Sequence, residues 1–126
     1  MPITLPRPVF DADAAAGGLG DLPEWDLTDL YTAPDAPEIG RDMDWLETEC
    51  AAFARDYEGR LATLDAAAML TCVRRYERIE ATAGRIMSYA GLRYYQNTTD
   101  AQRGKFIADC QDRITAFTTP LVFFSL

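Results

Sequence analysis

Apolar residues recur along most of this chain at alternating steps of three and four, the spacing of helices with one buried face. The first series runs through Ile39, Met43, Leu46, Cys50, Phe53, Tyr57 and Leu61. Asp42, Asp44, Glu47, Glu49, Asp56 and Glu58 fall mostly elsewhere and predict its solvated side. Asp35 followed by Glu38, with Pro37 in the tolerated first turn, marks its start. The second series is Val73, Tyr76, Ile79, Ala83, Ile86, Ala90 and Tyr94, with no proline until well beyond Asn97. Asp65 caps its start and Leu64 can staple to Met69, which predicts a helix of about thirty residues, roughly 45 Å long. A compact domain of this chain length is only about 36 Å across, so the helix is expected to overhang what the chain itself covers.

The third series, Phe106, Ile107, Cys110, Ile114 and Phe117, follows a capping-box pattern of Thr99 with Gln102. Asp109 and Arg113, four apart, can pair on its outer side. Pro120 forces a kink or a new start, with Thr119 available as the cap, and "LVFFSL" reads as the opening of a further buried helix. A free end beside Leu121, Val122, Phe123, Phe124 and Leu126 would leave them uncovered, so polypeptide beyond Leu126 is expected to cover them.

Upstream, residues 1–21 contain three prolines and "AAAGGLG" with no sustained period, the pattern of a flexible arm. Order resumes at "LPEWDLTDLY". There Asp26 can cap a short turn and Trp25 can staple to Leu30, leaving Leu27 and Tyr31 for a neighbouring surface. No two-residue alternation bounded by hairpin turns and no fixed-period repeat appears. The pattern predicts an all-α fold over residues 22–126: an antiparallel bundle of three main helices after a short anchor turn, with a truncated fourth helix at the C-terminus.

With 126 residues, 48% of them apolar, the chain suits one folded unit. A formal charge of -8 argues against nucleic-acid and anionic-membrane partners, which are held by clustered Lys and Arg. The N-terminus lacks the pattern of a secretory signal, and no run is long enough to span a bilayer, so a cytoplasmic location is expected. Cys50, Cys72 and Cys110, odd in number and widely spaced, predict reduced and mostly buried thiols. The absence of histidine removes Ser-His and Cys-His nucleophile pairs and imidazole ligands for zinc. Catalytic, cofactor and metal residues are therefore not assigned.

Three constellations remain. Glu77 and Glu80 sit among Arg74, Arg75 and Arg78, which predicts local surface ion pairs rather than a metal site. Ala81, Gly84, Ser88 and Gly91 form a stripe of small side chains, expected where another helix crosses; the alternative is room for a peptide. "SYAGLRYYQNTTD" gathers Tyr89, Arg93, Tyr94 and Tyr95 at the end of the long helix, either as a peptide-binding wall or as ordinary packing.

Taken in order, "PEWDLTDLY", "YEGRL", "SYAGLRYYQNTTD" and "TTPLVFFSL" resemble the N-terminal region of oligoendopeptidase F-type enzymes, in the thimet-oligopeptidase family of zinc metallopeptidases. The resemblance covers roughly residues 22–126. It implies a longer α-helical parent with a deep channel for short peptides. It also implies a zinc site, a His-Glu-x-x-His helix plus a later glutamate, far downstream of this chain. On that resemblance the chain is one wall of the channel and covers the catalytic remainder of the parent, its expected partner. It is then expected to be inactive alone, and Arg93 and Tyr94 are the candidates for the channel wall. A reading from a different class is a self-contained helical interaction module that buries its apolar end by self-association or on a partner.

Overall fold

Helix α1 spans Pro37–Tyr57, α2 Ala66–Gln96, α3 Ala101–Thr118 and the short α4 Val122–Ser125. The computed structural model describes residues 27–125, and among these there is no strand. The fold is all-α, with α1, α2 and α3 each packed on the other two. Short connections at 58–65 and 97–100 make neighbouring helices antiparallel. The arm at 1–21 and the Trp25–Asp26 cap lie outside the described residues. No helix among the described residues is long and apolar enough to cross a membrane.

The apolar faces follow the spacing closely. Ile39, Met43, Leu46, Cys50, Phe53 and Tyr57 are all buried on α1. On α2 the buried residues are Cys72, Ile79, Ile86, Tyr89 and Ala90, with Cys72 taking the place expected for Val73. Cys110 and Ile114 are buried on α3, flanked by half-buried Phe106, Ile107 and Phe117. The three cysteines are free and buried. Beyond α1, Gly59 at φ 75° takes the left-handed conformation that turns the chain toward α2.

Helix starts follow the expectation in one case out of three. Asp65 caps α2, its carboxylate accepting from the Ala68 N–H at 2.8 Å. At α1 the N-cap is Ala36, and no side chain caps it. Pro37 occupies the first helical position, so the expected Asp35 stands one residue too early. At α3 the cap is Asp100, which accepts from the N–H groups of Gln102 (2.9 Å) and Arg103 (3.4 Å). Thr99 instead donates its hydroxyl to Asn97 Oδ1 at 2.7 Å. The Asp100 carboxylate is nearer the helix, and its charge suits the positive end of the helix dipole.

The C-terminal stretch departs from expectation only at its cap. At Pro120 the backbone tightens into a 3-10 turn, Thr119–Leu121, which packs against α1 and leads into α4. The Thr119 hydroxyl bonds backward to the Thr115 carbonyl at 2.6 Å instead of capping forward. Leu121 is buried, and Phe123 and Phe124 are half-buried. Their ring centroids lie 6.1 and 5.4 Å from Phe53, and that of Phe124 lies 4.4 Å from Tyr76. Within the described part of the run, Val122 is 48% exposed and Ser125 is exposed.

The anchor turn is held from two helices. The Leu27 carbonyl accepts from the N–H groups of Leu30 and Tyr31. Tyr31 is buried and donates its hydroxyl to Asp42 of α1. Its ring meets Tyr89 of α2 edge-on at 5.4 Å, and the Arg85 guanidinium lies 4.6 Å from its centroid. Arg85 also donates from Nε and Nη2 to the Leu30 carbonyl, at 3.1 and 2.6 Å.

Candidate functional site

α2, with 31 residues against 21 for α1 and 18 for α3, carries all three constellations singled out above. Its inner face, through Cys72, Ile79, Ile86 and Ala90, is buried between α1 and α3. Ala81 stands two positions past Ile79, roughly 200° round the helix axis. Ala81, Gly84 and Ser88 are accordingly exposed. A Cβ added at Gly84 would meet nothing within 4 Å. The crossing helix expected over this stripe is therefore not supplied by the described residues. Close approach occurs only at its end, where a Cβ on Gly91 would lie 3.9 Å from Ile107 Cδ1 of α3.

This geometry makes Gly84→Ala a direct probe. An exposed glycine inside a helix costs up to about 1 kcal/mol against alanine, so the substitution is expected to raise stability by that amount. A higher urea midpoint would show it; a lower one would mean that something does lie over Gly84.

The arginines beside Glu77 and Glu80 do not form the local ion pairs expected. Arg75 sits between Cys72 and Ile79 on the inner side and reaches across to α1. It bonds Glu49 at 2.8 Å and Asp56 at 2.9 Å. Its guanidinium also lies 5.3 Å from the Tyr57 ring centroid and 5.9 Å from that of Phe53. Burial works against its charge, but hydrogen bonds with Glu49, Tyr57 and Asp56 more than offset this and keep it cationic. The hydrogen bond from Arg75, helped by Arg55, holds the Asp56 carboxyl below the usual carboxylate range. Arg78 packs over Trp45 of α1 at 4.9 Å. Among the described residues no three His, Cys, Asp or Glu side chains come together as a metal-ligand group.

The aromatic end of α2 divides between core and surface. Tyr89 is buried, with Phe106 of α3 edge-on at 6.3 Å. Arg93 is half-buried, its guanidinium 5.8 Å from the centroids of both rings. Its carbonyl accepts from Arg103 Nη1 at 2.9 Å, which joins the last turn of α2 to the first of α3. Tyr94 is half-buried beside Gly104, where an added Cβ would lie 3.6 Å from its Cε2. Tyr95 alone projects, 73% exposed. Arg93 and Tyr94 are therefore neighbours at one end of the bundle, each spending part of its surface on α3. The Arg103 link was not expected from the sequence. Neither was the Arg85 hold on the anchor turn, and no local spacing points to either.

At Asp109 and Arg113 no ion pair forms, and Arg113 lies 5.7 Å from the Phe117 centroid. Compared with models of protein families, with curated proteins and with solved structures, the chain matches none.

Proposed function

We propose that the chain is the N-terminal helical portion of a zinc-dependent oligoendopeptidase, forming part of a peptide-channel wall and covering the catalytic part without cleavage chemistry of its own. The observation that carries this is the open face of α2, where Ala81, Gly84 and Ser88 are exposed and a Cβ on Gly84 would be unopposed. A glycine inside a helix, such as Gly84, carries a cost in propensity, which approach of another backbone would offset. The resemblance of residues 22–126 to oligoendopeptidase F-type enzymes, and the all-α antiparallel architecture, agree with that role. Arg93 and Tyr94 would then offer their free edges to short peptides. Zinc and its ligands belong to the catalytic part, and a cytoplasmic setting goes with the same proposal.

Reading the coding DNA past codon 126 tests it. An in-frame His-Glu-x-x-His some hundreds of residues downstream is expected, and a stop codon there instead would overturn the proposal. The purified chain is expected to show no chelator-sensitive cleavage of a quenched peptide.

One observation favours a second reading, a self-contained interaction module: Phe123 and Phe124 are packed by Phe53 and Tyr76 of the same chain. The stop codon, together with a stable folded monomer or dimer in sedimentation, would select it.

A further inference from the structure

Residues 27–36 lead into α1 as turns and irregular backbone, and of these ten only Tyr31 and Ala36 are buried. Their polar attachment to the helices centres on two side chains. The Tyr31 hydroxyl donates to Asp42 of α1, and Arg85 of α2 donates to the Leu30 carbonyl while lying over the Tyr31 ring. The Arg85 bonds are exposed, so water can replace them when the segment lifts.

Within itself the segment is well held. The Leu27 carbonyl accepts from the N–H groups of Leu30 and Tyr31, the Ala33 carbonyl accepts from that of Ala36, and the Pro34 ring fixes its own φ. Ala36, at φ -59° and ψ 135°, stands outside the helical region, and α1 begins at Pro37 with no side-chain cap. The first turn of α1 therefore takes no side-chain bond from the segment, and the backbone at Ala36 is placed to act as a hinge.

We propose that residues 27–36 form a strap that swings open as one piece while α1, α2 and α3 stay folded, and that Cys110 is the group it shields. Cys110 of α3 is 4% exposed. It lines a groove of about 600 Å³ whose lining also includes Pro34, Asp35 and Ala36, and it is close enough to Tyr31 to interact electrostatically with the hydroxyl. Opening the strap takes away that side of the groove and withdraws the Tyr31 ring, which leaves the thiol facing water. Cys50 and Cys72 are buried on α1 and α2 and do not line this groove. They become accessible only when the helices separate.

Alkylation of the natural chain by iodoacetamide tests the proposal, with each cysteine followed by peptide mass spectrometry. Urea below the unfolding transition should speed Cys50 and Cys72 steeply and Cys110 only slightly, because opening a strap exposes far less surface than unfolding a bundle. Tyr31→Phe keeps the ring but removes a hydrogen bond to a charged acceptor, so the Cys110 rate should rise about tenfold. Phe53→Leu loosens the bundle away from the strap. It should speed Cys50 and Cys72 and leave Cys110 at its natural rate. Three results would overturn the proposal: the same urea dependence at all three thiols, a Cys110 rate unmoved by Tyr31→Phe, or a Cys110 rate that rises with the other two in Phe53→Leu.

Discussion

Replacing Phe53 with alanine is expected to cost about 3–5 kcal/mol of unfolding free energy, a large share of the roughly 5–15 kcal/mol that a domain possesses. Phe53 is fully buried where α1, α2 and the C-terminal run meet. Its ring has Tyr57 at 4.8 Å, Tyr76 at 5.9 Å, Phe124 at 5.4 Å and Phe123 at 6.1 Å. Truncation removes apolar contact and leaves a cavity that these large rings refill only in part. It also takes away the surface that holds α4, so chymotrypsin should cut at Phe123 or Phe124 sooner than in the natural chain. Urea denaturation measures the first effect and timed digestion the second. A loss below about 1 kcal/mol with unchanged digestion would mean that the C-terminal run is not seated on Phe53.

The second large effect is expected at alkaline pH. Burial, with the Glu49 and Glu80 carboxylates adding, pushes the Cys50 thiol up to about 11. Burial likewise raises Cys72 and Cys110. Tyr31 is raised too, by burial and then by its bond to Asp42. All four groups are neutral in the fold and ionise more readily once unfolded. Their contribution is therefore fully present below the unfolded values, near 8.5 for thiols, and is lost as pH rises toward the folded ones. Each group that is protonated only in the fold contributes a slope of about 1.4 kcal/mol per pH unit. Urea midpoints under reducing conditions should therefore be flat from pH 7 to about 8.5 and fall steeply toward pH 10.5. Cys50→Ala should make the fall shallower, and a midpoint constant to pH 10.5 would contradict the burial of these groups.

Much of the bundle was legible because burial on one helix face leaves a period in the sequence. Ile39, Met43, Leu46, Cys50, Phe53 and Tyr57 could be read off by spacing, and all are buried. What spacing does not encode is the exact residue where the backbone leaves the helical conformation. Asp100 rather than Thr99 and Ala36 rather than Asp35 were therefore out of reach by one position. Side chains that reach other helices were also hidden. The Arg75 partner Glu49 lies 26 residues back, whereas a reading along one helix considers only neighbours three and four away. A signal was nevertheless present, since Arg75 falls between Cys72 and Ile79 on the apolar side.

The candidate site was legible as a cluster but not as a surface. Tyrosine is amphipathic, so sequence alone does not separate the buried Tyr89 from the projecting Tyr95. Nor does it tell which way the chain turns after Pro120. Beyond the 3-10 turn at Thr119–Leu121, Phe123 and Phe124 pack on Phe53.

The turn at Leu27–Tyr31 is latched by Arg85 onto the middle of α2 and by Asp42 onto α1. A pull applied at Leu27 would meet this latch before it reached any helix, and a few side-chain bonds would bear it.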